Sequence, residues 1–540
     1  MVTRRQFIKS VAATGTSSLA APVVTRALPS RTAADFFNVH PYIENNPDAV
    51  FIMRTNVDVK TNSEAIKNTA LDFSRSVFVP SDSGIPLTHM IPIKPNLTCS
   101  VNNNYSIEHG MGIVTDVNFT EGVIEGMKEL GIGGEQFYIR EVNCHNQYEQ
   151  RGYNEELMER TGVNIRNMEA KVGVISENDL VWVDTPDGIW YRKIPYLWPV
   201  NAPDTFFLNI AKLKTHGMGV TLTTKNVQGC IAHNYQRHCV GYNLNMEMDS
   251  YHRNPNALAD IKANHARHLN DMKVPRWDKS GTSWNSGIGM ESWASRAIDN
   301  NNATPTGLHI IEGVYGRDGN FQTGPHKEDG TMDLNNKNLL AKDYMSNVII
   351  FGKNHFNVDN IGHWIAGHEP GNFGLFHIGV DMGLTNYINP HDIPVYEWTA
   401  DGTATLTDID EFQRTPLLTY YLQKTGEDYW HMVDEHFDYA SVSVEQPMKD
   451  DRPEAIVLSQ NRPNPFNPNT SIEFTIQSAG NTRLEVYNAS GQLVDVLADG
   501  YHRAGSHMAV WNTSKQSSGI YFYRLRHNGF SEMRKMTLLK

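Results

Sequence analysis

Three prolines within eight residues, Asn461-Arg462-Pro463-Asn464-Pro465-Phe466-Asn467-Pro468, divide this chain into two parts with different periodicities. Each proline fixes its own φ and removes a backbone donor, so the segment belongs neither inside a helix nor in a central strand. It reads as an extended lead into a new domain, preceded by a Ser-, Pro- and Asp-containing linker over 441–460. Beyond it, apolar residues recur with period two: Ile472, Phe474 and Ile476; Leu484 and Val486; Val494 and Val496; Met508 and Val510; Ile520 and Phe522; Met536 and Leu538. Turns containing Gly480, Gly491, Gly505 and Gly519 separate these runs. Short alternating strands at roughly 8–12-residue spacing predict a small antiparallel β-sandwich over 461–540.

Residues 35–440 have another texture. Apolar runs at Met90–Ile93, Phe137–Arg140, Asp179–Val183, Thr205–Ile210, Leu308–Ile311 and Asn347–Phe351 alternate with amphipathic stretches. The latter lie at Ser63–Val77, Thr120–Leu130, Asn154–Thr161, Asn256–Met272 and Val358–Ala366. This alternation predicts an α/β body, a mixed or parallel sheet with helices on both faces. Ligands of such sheets gather at the carboxyl ends of strands.

The first 34 residues carry five Arg or Lys and no acid, while residues 451–540 carry ten basic and seven acidic side chains. Of the 47 basic and 60 acidic residues in the whole chain, the body therefore holds 32 against 53. A cationic nucleic-acid surface is disfavoured, although one basic pocket can persist locally. The amino end itself, Thr3-Arg4-Arg5-Gln6-Phe7-Ile8-Lys9 followed by a Gly-, Ser- and Thr-diluted apolar stretch, resembles a twin-arginine export signal over 1–30, with cleavage near Ala27. No later uncharged run reaches the roughly 18 apolar residues of a transmembrane helix.

Within the body, Asn209-Ile-Ala-Lys212-Leu-Lys214-Thr215-His216 runs from a hydrophobic strand into cations, and Thr221-Leu-Thr223-Thr224-Lys225-Asn226-Val-Gln-Gly229 follows. Three lysines and a histidine so close together, in an acidic body, call for carboxylate partners or an anionic guest. Lys94, Lys212 and Lys225 would neutralise carboxylate or phosphate oxygens, with Asn96 and Asn226 orienting them. His216 is the natural proton carrier, since its reference pKa of about 6.5 places both forms within reach. Lys214, Glu312 and Asp359 complete the candidate catalytic set, and Asp318 is a further acid near a strand end. The alternative is a solvated basic loop paired to surface acids. No Walker or Gly-x-Gly-x-x-Gly loop follows a strand, so nucleotide binding by those devices lacks support.

The four cysteines, Cys99, Cys144, Cys230 and Cys239, contain no C-x-x-C pair, so the usual iron–sulfur ligation is unsupported. Cys230-x-x-His233-x4-His238-Cys239 offers sulfur and imidazole donors for a zinc-like ion, against buried free thiols or a Cys230–Cys239 bridge. The cofactor is otherwise open. His265 with His268, and His363, His368 and His377, are weaker ligand candidates in a chain with 22 histidines. Trp182, Trp190, Tyr191, Tyr196 and Trp198 would stack on a sugar ring or fill a core.

Two resemblances extend these expectations. Lys94-Pro95-Asn96, the Asn209 to His216 segment, Lys225-Asn226-x-x-Gly229 and Ile310-Ile311-Glu312-Gly313 resemble the family called domain of unknown function 362, over most of residues 80–370. Relatives commonly carry Asp at the Glu312 position, and of their Asp-Pro-Val-Ala-x-Asp element only Asp359 stands here. Some relatives carry ferredoxin-like clusters; the family implies no particular reaction. The carboxyl end is similar to the sorting domain of type IX secretion cargo. The similarity rests on the proline-rich lead, Leu484-Glu-Val-Tyr487, Gly491-Gln-Leu-Val494, Gly505 to Trp511, Ser518 to Leu525, and the final Lys535-Met536-Thr-Leu-Leu-Lys540. It implies export, with the secretion machinery as partner and the cell surface or the medium as destination. The leading expectation is thus an exported enzyme or cofactor protein whose body binds an anionic small molecule. Its alternatives are a non-catalytic surface or glycan-binding protein and a metal-dependent redox protein.

Overall fold

A computed structural model of the chain describes residues 34–97, 108, 110–141, 149–165, 176–216, 219–232, 253–283, 286–320, 322–336, 338–419, 436–440, 456–476, 480–502, 505–513, 516–527 and 530–539. The body is organised on a ten-stranded sheet. In chain order its strands are β1 (Val50–Arg54), β2 (Ile91–Pro95), β3 (Phe137–Ile139), β4 (Asn164–Ile165), β5 (Phe207–His216), β6 (Gly219–Thr221), β7 (Thr306–Arg317), β8 (Asp343–Gly352), β9 (Val395–Trp398) and β10 (Ala404–Leu406). They lie in the order β10-β9-β1-β8-β7-β5-β2-β3-β4, with β6 folded back on the end of β5. Strands β7, β5, β2, β3 and β4 are parallel, and antiparallel β8 links β7 to β1. The sheet is therefore mixed, as the alternation predicts.

The helices that cover the sheet and shape its ends are α1 (Ser63–Val77), α2 (Val117–Lys128), α3 (Thr223–Asn226), α4 (Ala257–Asn270), α5 (Gly287–Ala303) and α6 (His355–Ile365). Apolar side chains of α1 and α2, such as Ile66, Phe73, Phe119 and Val123, bury one face of the sheet against Phe51, Ile93, Leu208, Ile310 and Phe351. Val358, Ile361 and Ile365 of α6 cover the other face against Ile52, Leu213, Ile311 and Ile350. Both faces are thus dry, which is why β1 and the second half of β8 read as apolar runs rather than as alternation.

The connectivity creates one special boundary. The chain passes from β2 outward to β3 and β4, then returns through β5 to the opposite side of β2 and continues to β7. Strand order reverses between β2 and β5, so their connections diverge and leave a crevice at the carboxyl ends. Lys94-Pro95-Asn96 ends β2, and Lys212-Leu-Lys214-Thr-His216 ends β5.

The expected strand at Asp179–Val183 forms, as Leu180–Asp184, but among the described residues pairs only with Lys193–Leu197, outside the main sheet. Trp190, Tyr191 and Tyr196 of this hairpin region are buried in a core with Val227, Cys230 and Ile261, so these aromatics fill space rather than offer a stacking platform.

The carboxyl-terminal unit is a sandwich of a three-stranded and a four-stranded antiparallel sheet. Its core contains Phe466, Phe474, Leu484, Trp511, Tyr523, Leu525 and Met536, the inward members of the period-two runs. Val457 and Leu458 pair with Thr475 and Phe474, so the sandwich takes in residues expected in the linker. The leader at 1–30 and most of the linker lie outside the described residues. Among the described residues, no helix is long and apolar enough to cross a membrane.

Candidate functional site

Lys94 and Asn209 are register partners across the β2/β5 boundary. The Lys94 ammonium donates to Glu141 Oε2 at 2.6 Å, to the Pro95 carbonyl at 2.7 Å and to Asn226 Oδ1 at 3.0 Å, which uses all three of its donors. Asn226 donates in turn to the Lys94 carbonyl and to Asn209 Oδ1, each at 2.8 Å. The Lys-Asn segment is thereby sewn to the ends of both strands. A Cβ on Gly229 would stand 2.4 Å from Lys94 Cε and 2.3 Å from Glu141 Oε1, so this position admits only glycine while the ion pair holds its place. Glu141, just beyond β3, is a counter-charge that no sequence motif marks.

Lys212 faces the α1/α2 layer. Its Nζ lies 2.6 Å from Glu312 Oε2, its register partner on β7, and 3.3 Å from the Tyr315 ring centroid. Both members of the pair are fully buried, and Tyr315 donates to Asp116 Oδ2 at 2.6 Å. Burial, outweighing the Lys212 charge, pushes the Glu312 carboxyl up. Lys212 is thus already matched by an acid and is no free anion receptor.

Beyond these pairs the balance changes. Lys214 is buried and donates to Asn96 Oδ1 at 2.8 Å and to the Ile113 carbonyl, both uncharged acceptors. Burial first, then the nearby charges of Lys225 and Arg317, hold its ammonium well below the ordinary lysine range. Burial and the Lys225 and Lys214 charges likewise hold His216 well below the ordinary imidazole value, so it is neutral at physiological pH. Arg317 is paired with Asp343 at 2.7 Å, and Lys60 shares that carboxylate at 2.8 Å. Lys225 is half-buried, and its side chain makes no hydrogen bond or ion pair among the described residues.

Asp359 is tied to the start of α3. It accepts from Thr223 N at 2.8 Å, Thr223 Oγ1 at 2.6 Å and Thr224 N at 2.9 Å, and so holds the start of α3, the turn that carries Lys225 and Asn226. Burial pushes its carboxyl up to about 6. Asp318 binds His326 Nε2 at 2.5 Å and the Lys342 N–H at 2.7 Å.

Of the expected metal ligands, His233, His238 and Cys239 lie outside the described residues. Cys230 is fully buried, and burial pushes its thiol up to about 12, so it carries its proton at neutral pH. His265, His363, His368 and His377 each bond a backbone carbonyl, and His268 bonds Glu291 and Asp381; each ring is accounted for by packing. Among the described residues no three His, Cys, Asp or Glu side chains converge as a metal site would require.

The segments that build this crevice fall within a family model, Domain of unknown function (DUF362), which matches residues 91–361. The chain belongs to the DUF362 family. A second model, Secretion system C-terminal sorting domain, matches residues 462–538, the sandwich. This DUF362 protein is therefore exported, to the cell surface or into the medium. No curated protein matches it. It is similar to two solved structures from Porphyromonas gingivalis. Dimeric latent PorU is 19% identical over 21% of this chain and 10% of that one, with a TM-score of 0.14. PorZ, described as an essential surface component of the type-IX secretion system, is 12% identical over 27% of this chain and 20% of that one, with a TM-score of 0.12. The chain thus spans no more than a fifth of either protein.

Proposed function

We propose that this exported DUF362 protein binds a small anion, bearing carboxylate or phosphate, at the carboxyl ends of β2 and β5. The observation that carries the reading is Lys225, a half-buried ammonium without a partner among the described residues, set beside Lys214 and His216 at the point where strand order reverses. A negative ligand there would pair with Lys225 and favour the charged forms of Lys214 and His216. Lys94 and Asn226 hold the rim through Glu141, while Lys212 serves the fold through Glu312. Negative charge bound beside His216 would make the ring readier to take a proton, the step an enzymatic role would use. We also read Arg4-Arg5 and the residues after it as a twin-arginine leader, consistent with a body that folds before export.

The test is thermal unfolding of the full chain with inorganic phosphate and with citrate, each at about 10 mM, in wild type, Lys225→Ala and Lys225→Arg. A ligand at 100 times its Kd adds about 2.7 kcal/mol to stability. Stabilisation of wild type, lost in Lys225→Ala and largely kept in Lys225→Arg, is expected. Equal stabilisation of wild type and Lys225→Ala would exclude this site.

A further inference from the structure

The sorting sandwich has two outer faces, and they differ in charge. Leu484, Val486, Tyr523, Leu525 and Met536 point into its core. Side chains alternate along a strand, so the residues between these lie on the outside of the four-stranded sheet. The register sets Arg483 opposite Arg526, Glu485 opposite Arg524 and Tyr487 opposite Phe522. On the next pair of strands Arg524 stands opposite Met533, and Phe522 opposite Lys535.

Glu485 organises this face. Its side chain is only 7% exposed and accepts from Arg483 Nε at 3.0 Å, from Arg524 Nη2 at 2.9 Å and from the Tyr487 hydroxyl at 2.7 Å. Arg526 Nε comes within 3.5 Å of the same carboxylate, and the Arg524 guanidinium lies 4.8 Å from the Tyr487 ring centroid. Asp499, 3.2 Å from Arg483, is the second acid. Three guanidiniums thus share two carboxylates, and the Lys535 side chain beyond them makes no hydrogen bond or ion pair among the described residues. Ile520 and Met533, 46% and 50% exposed, stand among these cations. On the other outer face Ser471 meets Val510 and Glu473 meets Met508, four positions with one acid and no cation.

Surplus positive charge interleaved with exposed apolar side chains marks a recognition surface, and its sign selects a negative partner. Protein interfaces concentrate Arg, Tyr, Phe and Met and are poor in Lys, which is the composition here. With two of its four cations already offset, the face falls short of the roughly 4–8 clustered charges that hold an anionic lipid surface. We propose that this face is where the secretion machinery docks, and that the partner presents carboxylates to Arg483, Arg526 and Lys535 around an apolar contact on Ile520 and Met533. Glu485 fixes the guanidinium forks in advance, so a carboxylate is met without first ordering long side chains. The inference rests on the sorting role of the sandwich and shares no residue with the lysine crevice.

The test follows delivery of the full chain in a host with type IX secretion, by fractionation, together with thermal unfolding of each purified variant. Arg526→Glu with Lys535→Glu reverses two exposed charges, Arg526→Lys with Lys535→Arg keeps them, and Met508→Glu with Val510→Glu charges the other outer face. Exposed substitutions of this kind should leave the sandwich transition near that of wild type. The charge reversal is expected to lower the amount reaching the surface or medium at least about tenfold and leave folded protein in the periplasm, while the other two variants are delivered normally. Should the reversal lose its sandwich transition, Lys535→Glu alone, at a side chain that bonds nothing, carries the test with the same direction expected. Delivery of the folded reversal variant at the wild-type level overturns the proposal, as does an equal loss with the Met508 and Val510 pair. Two further results overturn it by giving the face to another occupant: a wild-type dimer in light scattering that the reversal breaks, or wild-type sedimentation with phosphatidylglycerol vesicles that the reversal abolishes.

Discussion

Asp359 accepts both the backbone N–H and the hydroxyl of Thr223, at 2.8 and 2.6 Å, and this contact anchors the turn that carries Lys225 two residues on. Removing the carboxylate strands three buried donors at once. Asp359→Ala should therefore cost about 3 kcal/mol in urea unfolding and abolish phosphate stabilisation, whereas Thr223→Val, which keeps the shape and loses one bond, should cost about 1 kcal/mol. Equal losses in the two variants would show that the carboxylate does not organise the turn.

The Lys212–Glu312 pair is buried on both sides, so its value lies in being complete. Lys212→Met leaves Glu312 uncompensated and should destabilise by about 3–5 kcal/mol, while Lys212→Met with Glu312→Leu should recover most of that loss. Chemical denaturation of the two singles and the double closes the cycle. A double variant as unstable as the single would mean the pair is also needed for packing against Tyr315.

His268 supplies a pH signature far from the crevice. Burial disfavours its charge, but hydrogen bonds to Asp381 and Glu291 prevail and push it up to about 9. Because the folded value lies above the ordinary 6.5, the stabilisation is fully present below about pH 6.5 and is lost as pH rises through about 9. Tm measured from pH 6 to pH 9.5 should fall more in wild type than in His268→Gln. Parallel curves would assign the ring no charge in the folded protein.

The sandwich has its own core and its own sheets. A chain ending before Ile456 should keep the body's unfolding transition and fail to reach the cell surface or medium in a host with type IX secretion, as read by fractionation. Trp511, 1% exposed, anchors that core. Trp511→Ala in the full chain should lower only the sandwich transition, by about 3–5 kcal/mol.

Much of the fold is legible in the chain alone. Helix α1 runs over the expected Ser63–Val77, because its apolar stripe faces the sheet and Asn62 caps it. Helix α5 escapes such reading: buried on nearly every side, its Ser, Asn, Asp and Arg residues face other protein and leave no apolar stripe. Strand β1, with four buried residues in a row, lacks alternation for the same reason. At the crevice, Lys94, Asn96, Lys214 and His216 are visible as residue types at strand ends, and Lys225 and Asn226 in the Lys-Asn motif that follows β6. Glu141 is not, since one acid after a short strand carries no periodic signal.

Proline placement, apolar period and ordered motifs are local properties of the chain, so the two-part architecture, the export domain and the family can be read from residue order alone. Which cations are matched depends on the folded arrangement. Lys212 stands two residues before Lys214, and Lys94 ends a strand as they do, yet Glu141 and Glu312 neutralise Lys94 and Lys212 through pairings 47 and 100 residues long. Charge compensation depends on distance in space, and in a parallel sheet that distance is fixed by strand order, which no local stretch of chain encodes.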